Sequence, residues 1–251
     1  MKKQGKDEKK LPDEIALSEV FPNNPLKQVA FEVRFQRSLR VLCDIGNFQE
    51  KLGSEFIFTG REEILLPGEP PALGYGFAHR GGNLIVKAGE DRFAVIVTQY
   101  EHFEWFASEA MKQAGRFCDL FRIQTFKRVG LRYVNKIEVI YDGQEFLLER
   151  YVHPYVDLSR LEPAMLSRFS VELLTEKPDC KFNTRSAFAS NPNPMNPEGS
   201  YILDLDAFIE KETCLAELSN VLTLLHNQAQ IEFLTHVTEE YKTFMRSKNA
   251  H

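Results

Sequence analysis

Cysteine is scarce in this sequence, and its spacing excludes the common zinc sites. The chain of 251 residues has four cysteines. None of them forms the CxxC or Cys/His spacing typical of zinc ligands, so we expect no metal centre and no cofactor. Unpaired thiols are typical of buried positions in a reducing compartment, so we also expect a cytoplasmic protein. The cysteines are Cys43, Cys118, Cys180 and Cys214.

Long apolar runs are absent too. No run reaches the about 18 to 20 residues that a membrane-spanning helix needs, so we expect no membrane partner. The first ten residues, MKKQGKDEKK, include five lysines and lack the apolar core of an export signal. We interpret residues 1–22 as a flexible basic tail and residues 23–251 as one domain, with 23–125 and 126–251 as candidate lobes.

An overall excess of positive charge is also missing. The formal net charge is -5 at pH 7, which disfavours a protein whose main role is to coat nucleic acid. Hydrophobic residues make up 43% of the chain and charged residues 27%. This balance is typical of globular proteins.

Segments of alternating apolar and polar residues predict an antiparallel sheet. The first covers residues 28–36, where Val29, Phe31 and Val33 would share one face. Glycine and proline separate most of the later segments, as tight hairpin turns require. Those segments are FIFTGREEILL, LGYGFAHR, NLIVKA and RFAVIVTQY in the first half, and RFSVELLTE, CKFNTRSAFAS and SYILDLD in the second.

Helical spacing of apolar residues predicts two substantial helices beside these strands, which makes the fold class α+β. One is expected over residues 101–121, with an aromatic stripe against the sheet, and a short helix over 46–52. The other covers residues 213–245 and would be about 50 Å long at ~1.5 Å per residue. We expect so long a helix to reach a second lobe or a partner subunit, and a homodimer through it is a hypothesis.

The segment KRVGLRYVNKIEV, residues 127–139, predicts a strand with one charged face. Arg128, Arg132 and Lys136 fall on that face, whereas Asn135 falls on the apolar one. An asparagine on an apolar face needs hydrogen-bond partners, because leaving it without them costs about 1 to 3 kcal/mol.

Two interpretations of this charged face are open. If the strand lies beside residues 28–36, Glu32 and Arg34 would face its charged residues across the sheet, and opposite charges there would attract each other on a solvent-exposed face. Alternatively, the final helix covers the face and makes a cleft of partly desolvated cations, which would bind an anionic small molecule or an acidic protein surface. The candidate binding residues are Glu32, Arg34, Arg128, Arg132, Asn135 and Lys136.

The two halves open on similar phrases, KQVAFEV at 27–33 and KRVGLRY at 127–133. Each half then continues through predicted strands and closes on a predicted helix. Internal duplication is therefore a hypothesis, which superposition of the two halves would test.

Six phrases occur together in the sequence: PLKQVAFEVRF, YEHFEWF, RVGLRYVNKI, LDLDAF, LHNQAQIEF and LTHVTEEY. Together they resemble a sporadically distributed family of bacterial proteins of similar length and unassigned function. The resemblance covers residues 25–244, with GLRYVN as its most specific part, and implies one intact unit without implying any catalytic residue. The patchy distribution implies a place in mobile-element or defence-associated systems.

Catalytic signatures do not stand out in the sequence. Serine and cysteine lack a nucleophile context, and the glycines lack the setting of a phosphate-binding loop. Asp204 and Asp206 share a strand face and would suit a divalent ion, although such a pair more often caps a turn. We therefore interpret the protein as a non-catalytic binding or regulatory module.

Two other functions stay open as alternatives. One is a phosphate- or nucleotide-handling enzyme that uses the arginine and lysine cluster. The other is a nucleic-acid accessory protein, which ranks third because the aromatic residues of the two charged strands fall opposite the arginines.

Overall fold

The computed structural model describes residues 21–64, 70–141, 146–157, 167–191 and 198–247. Residues 1–20, which make up most of the predicted basic tail, lie outside these ranges. Phe21, near the end of that predicted tail, is buried and packs in the core. The folded part of the chain therefore begins no later than Phe21.

The strands of the described residues are β1 (Leu26–Arg34), β2 (Phe56–Ile64), β3 (Ala72–His79), β4 (Leu84–Gly89), β5 (Arg92–Val97), β6 (Thr125–Phe126), β7 (Arg128–Val139), β8 (Arg168–Glu176), β9 (Lys181–Asn191), β10 (Glu198–Ile209) and β11 (Thr213–Cys214). Nine of these described strands form one antiparallel sheet, and the short β6 and β11 pair with each other. The predicted strands and their antiparallel pairing are confirmed.

The helices of the described residues are α1 (Leu39–Cys43), α2 (Ile45–Leu52), α3 (Phe103–Phe121), α4 (Leu218–His236) and α5 (Glu239–Arg246). The predicted fold class, an antiparallel sheet packed by two long helices, is confirmed, with α3 and α4 as those helices. The side chain of His102 accepts a hydrogen bond from the backbone N–H of Trp105, which caps the start of α3.

The strand order of the large sheet is β2-β3-β4-β5-β1-β7-β10-β9-β8. In the first half the chain leaves the central strand β1, crosses to the edge at β2 and returns through hairpins to β5, beside β1. In the second half it leaves β7, crosses to the edge at β8 and returns to β10, beside β7. A long helix follows each return. Both halves thus cross to an edge and return to the centre, although four strands follow β1 and three follow β7, and one continuous sheet joins the two candidate lobes.

The register of β1 against β7 relates the two similar opening phrases. Phe31 pairs with Leu131, and Val29 pairs with Tyr133 just as Val33 pairs with Val129. A local two-fold axis through the Phe31 and Leu131 pair would exchange the phrases KQVAFEV and KRVGLRY. Duplication stays a prediction, with superposition of the halves as its test.

The apolar face of the sheet lies against the helices. Val29, Phe31 and Leu131 are fully buried there, together with Phe117 of α3 and Leu225 of α4. The aromatic stripe predicted for residues 101–121 is confirmed, since Phe106, Phe117 and Phe121 are all buried. The cysteines differ in solvent exposure. Cys118 and Cys180 are buried, as expected, whereas Cys43 is exposed.

The prediction of one long helix over residues 213–245 is wrong. The chain pairs Thr213–Cys214 as a strand, and the helical part breaks at Val237 and Thr238, which adopt extended backbone angles. Val237 forms a β-bridge with Val152, and the Thr238 N–H donates to the carbonyl of Tyr151 at 3.0 Å. These backbone bonds replace those that a continuous helix would make, so no 50 Å rod exists.

We expect Thr238→Ala to lower the free energy of unfolding by about 1 kcal/mol, because the Thr238 hydroxyl caps α5 by accepting from the Tyr241 N–H at 3.1 Å. Urea denaturation measures the change. The matched control is Thr235→Ala, whose hydroxyl only bonds the Ile231 carbonyl within α4, and which should stay within about 0.5 kcal/mol of the native chain. Equal losses in both variants would contradict the capping role.

Candidate functional site

Three arginines stand side by side on the face of the sheet that the helices leave uncovered. In the register of the three central strands, Arg34 of β1 lies directly opposite Arg92 of β5 and directly opposite Arg128 of β7. Like charges at directly opposed positions repel each other and destabilise a sheet. Carboxylates must therefore lie close to this row.

Asp91 compensates Arg92, whose Nε and Nη2 donate to its two carboxylate oxygens at 2.8 and 3.0 Å, and Glu32 and Asp206 compensate Arg34 and Arg128. Oε1 of Glu32 accepts from Nε of Arg34 at 2.8 Å and from Nη1 of Arg128 at 3.3 Å. Oδ2 of Asp206 accepts from Nη2 of Arg128 at 2.7 Å. Burial raises the pKa of Asp206, and the nearby Glu32 charge raises it further, while Arg128 opposes both effects. The predicted proximity of Glu32 and Arg34 to the cations of β7 is thus confirmed for Arg128.

Gly130 explains how Arg128 reaches both carboxylates. A Cβ atom at Gly130 would lie 2.5 Å from Nη1 of Arg128, so the guanidinium group lies across the backbone where glycine has no side chain. The same guanidinium lies 4.4 Å from the ring centroid of Phe208 on β10, within the range of a cation–π contact. The glycine of the GLRYVN phrase therefore has a packing role.

Arg132 and Lys136 are paired farther along β7. Arg132 donates from Nε and Nη2 to the two carboxylate oxygens of Asp204, at 2.7 and 2.6 Å. These hydrogen bonds raise the pKa of Arg132, so it stays charged. Nζ of Lys136 lies 2.8 Å from the carboxylate of Glu138, and Lys136 does not line the depression over the arginine row.

A depression of about 280 Å³ lies over the arginine row, and all of its lining residues belong to strands of the sheet, from β2 to β10. Small residues form much of its base, including Ala30, Gly74, Gly89, Ala94 and Gly130. Because large side chains are missing there, the sheet face itself is hollow. The described lining includes five cations, Arg34, Lys87, Arg92, Arg128 and Arg132, and three carboxylates, Glu32, Glu62 and Asp206.

We call Glu32, Arg34, Arg92, Arg128, Arg132 and Asp206 the charged floor. The expectation that the final helix covers this face is wrong. Helix α4 lies on the opposite face, where His226 bonds the hydroxyl of Tyr133 at 2.7 Å. The physical reason is the alternation of β7: its apolar residues must face the helices, so its charged residues point away from them.

Asn135 also lies away from the charged floor. It faces the helices, is 4% exposed, and donates from Nδ2 to the carbonyl of Leu203 at 3.2 Å. The sequence placed Asn135 on the apolar face, but grouping it with the arginines was wrong. Arg92 was missed because an arginine in the apolar segment RFAVIV gives no sign that it will lie opposite Arg34.

Two histidines lie on the helix-covered side, His236 buried and His226 half-buried. His226 contacts Tyr133, and His236 hydrogen-bonds the hydroxyl of Tyr201 through Nε2. Burial lowers the pKa of each histidine from 6.5 to about 4. Both imidazoles are therefore neutral at pH 7.

The class of protein that these observations define is an α+β protein with one large antiparallel sheet and a charged depression on its open face. No family model matches the chain, and no curated protein matches it. The resemblance of the six sequence phrases to a bacterial family stays a prediction.

Two kinds of feature are not found among the described residues: a membrane-spanning helix and a metal-ligating cluster. None of the helices within them combines the length and apolar character needed to cross a bilayer. Across the same residues, no cluster of three or more His, Cys, Asp or Glu side chains is arranged to hold a metal ion. Asp204 and Asp206 pair with Arg132 and Arg128 instead.

We expect Gly130→Ala to lower the free energy of unfolding by about 1 kcal/mol, because the new Cβ displaces Arg128 from the part-buried Asp206. Denaturant titration measures the loss. Gly115→Ala is the control: Gly115 lies within α3 with open space around it, so alanine there should stabilise by about 0.5 to 1 kcal/mol. Stabilisation at both positions would contradict the packing role of Gly130.

We expect stability to fall as the pH is lowered from 6.5 to about 4, because the unfolded chain protonates His226 and His236 in that window and the folded chain does not. Each histidine contributes a slope of up to about 1.4 kcal/mol per pH unit. His226→Phe keeps the ring and removes one titrating group. Urea titrations across this pH range should give a smaller slope for the variant, and an unchanged slope would show that His226 is not held neutral.

Proposed function

We propose that this protein is a non-catalytic binding or regulatory protein whose charged floor receives the acidic group of an anionic small molecule or of an acidic partner segment. The observation that carries the proposal is a set of unused arginine donors inside a hollow of the sheet. An anion that accepts from guanidinium groups in a partly desolvated hollow gains charge-assisted hydrogen bonds.

Arg34 and Arg132 are the accessible members of the charged floor. Their side chains are 31% and 46% exposed, whereas those of Arg92 and Arg128 are 9% and 10% exposed. Within the described part of the chain, Arg34 donates only through Nε and Arg132 only through Nε and Nη2. The two Nη groups of Arg34 and the Nη1 group of Arg132 therefore remain for a ligand.

The buried arginines would act on a ligand through their charge. Arg92 and Arg128 flank Arg34 in the same cross-strand row, and Glu32 bonds both Arg34 and Arg128. An incoming anion would relieve the repulsion within the row and would compete with Glu32 for Arg34. Discrimination between anions would then depend on how well a ligand replaces that carboxylate.

The size of the depression, about 280 Å³, suits a compact polyanion or one acidic side chain with its neighbours rather than a large cofactor, since pockets for drug-sized ligands measure about 300 to 1,000 Å³. A phosphate- or nucleotide-handling enzyme would use the same arginines. Turnover of the bound phosphate compound, rather than binding alone, separates that alternative from the proposal.

We expect tripolyphosphate or a hexaglutamate peptide to stabilise the native chain, and Arg34→Ala to weaken that binding at least tenfold while changing stability by about 1 kcal/mol or less. Arg132→Ala should weaken binding as strongly, but it leaves the buried Asp204 without its partner and should also lower the free energy of unfolding by about 1 to 3 kcal/mol. Calorimetry at low and high salt measures the affinity. Arg185→Ala is the matched control, because Arg185 lies opposite Asp204 on the same sheet face, outside the depression, and pairs with Glu172. Equal weakening by the control would show non-specific charge attraction.

Glu32→Gln provides a test with the opposite sign. This change removes the negative charge that competes for Arg34 and Arg128, so we expect it to tighten binding of the same anions severalfold. Weaker binding in this variant would contradict a role for Glu32 as the displaced carboxylate. No detectable binding by any of the anions would overturn the proposed function.

A further inference from the structure

A second cavity lies on the other face of the sheet, between β7, β10, α4 and the residues that lead into α3. Its volume is about 120 Å³. It shares no lining residue with the charged floor. A cavity of about 150 Å³ in another protein binds benzene; this cavity is smaller, but its lining includes the exposed residues Glu101 and Glu104, so a bound ring can extend toward solvent.

Aromatic side chains shape the walls of this cavity. The rings of Phe103 and His226 stack face to face, with centroids 3.9 Å apart and an angle of 5° between their planes. Phe233, Leu26 and Tyr100 also line the cavity. Flat, apolar walls of this kind favour a planar ring over a branched aliphatic group.

A hydrogen bond fixes the polar part of the wall. The hydroxyl of Tyr133 lies 2.7 Å from Nδ1 of His226, and the ring of Tyr100 packs edge-on against the ring of Tyr133 with centroids 6.2 Å apart. Burial raises the pKa of Tyr133 and lowers that of His226 to about 4, so both of these hydrogen-bonded side chains are uncharged at pH 7. The interior of the cavity therefore offers no cation to an anionic ligand.

The charged groups of the described lining are acidic and lie at its open side. Glu101 and Glu104 line the cavity and are exposed, and the lining contains no lysine or arginine. A backbone hydrogen bond and the neighbouring His102 lower the pKa of Glu104, which keeps it ionised. The preference of this cavity is thus opposite in sign to that of the charged floor.

We propose that this cavity binds a small aromatic ring that carries a protonated amine. The ring lies between Phe103, Phe233 and Leu26, and the ammonium group faces Glu101 and Glu104 at the mouth. Gln230 also lines the cavity, and its Oε1 is buried with no hydrogen-bond partner among the described residues. This inference does not depend on the proposed function of the charged floor.

The test uses 2-phenylethylamine as the probe, with phenylacetate and hexylamine as its matched comparisons. Saturation-transfer NMR and the fluorescence of Trp105, the single tryptophan of the chain, report binding. We expect 2-phenylethylamine to bind at least tenfold more tightly than either comparison, because phenylacetate reverses the charge and hexylamine lacks the ring. Equal binding of phenylacetate, or no binding of 2-phenylethylamine, would overturn the proposal.

Variants locate the site. We expect the double change Glu101→Gln and Glu104→Gln to weaken 2-phenylethylamine binding at least fivefold, while Glu50→Gln, on the exposed surface of α2, leaves it unchanged. Ala229→Leu fills the cavity and should abolish binding, provided that its circular dichroism is native; the glutamine variants decide the outcome if it is not. Arg34→Ala should leave amine binding unchanged, so failure here is distinguishable from failure of the charged floor. Unchanged affinity in the double glutamine variant would place the amine elsewhere.

Discussion

The antiparallel pairing of β1 with β7 is the constraint on which the rest of the structure depends. Successive residues of a strand point to opposite faces, so a slip of one residue in this pairing would move every side chain of β7 to the other face. In the observed register, Phe31 meets Leu131 on the helix side and Arg34 meets Arg128 on the open side. One pairing thus fixes the core contact of the helices and the position of the charged floor.

The charged floor contributes little to stability by itself. Partly buried ion pairs lose hydration free energy that their attraction only partly returns, and apolar residues at the same positions are often as stable. Three arginines in one cross-strand row need carboxylates from β1 and β10 simply to balance their repulsion. Arg34 also keeps accessible N–H donors that bond no described residue. A purely structural ion-pair network would not require these extra donors.

The strand β7 serves both faces of the sheet with adjacent residues. Arg132 faces the depression and chelates Asp204, while Tyr133, the next residue, faces the helices and bonds His226. On the open face, arginines lie beside small residues in the lining of the depression. On the covered face, aromatic rings line the cavity, together with the exposed acidic residues Glu101 and Glu104. The two proposed sites would therefore prefer ligands of opposite charge, although a single layer of backbone separates them.

Periodicity in the sequence determined most of the secondary structure, because alternation over residues 28–36 and 127–139 and helical spacing over 101–121 follow from local geometry alone. It also placed Arg128 and Arg132 on one face. Only the tertiary structure decided that Arg92 joins them, that α4 lies on the far side, and that residues 213–245 break at Val237. Each of these depends on a partner distant in sequence: Arg34 for Arg92, the buried face of the sheet for α4, and Val152 for Val237. Local patterns carry no information about such partners, because strand order and register arise from packing of the whole chain.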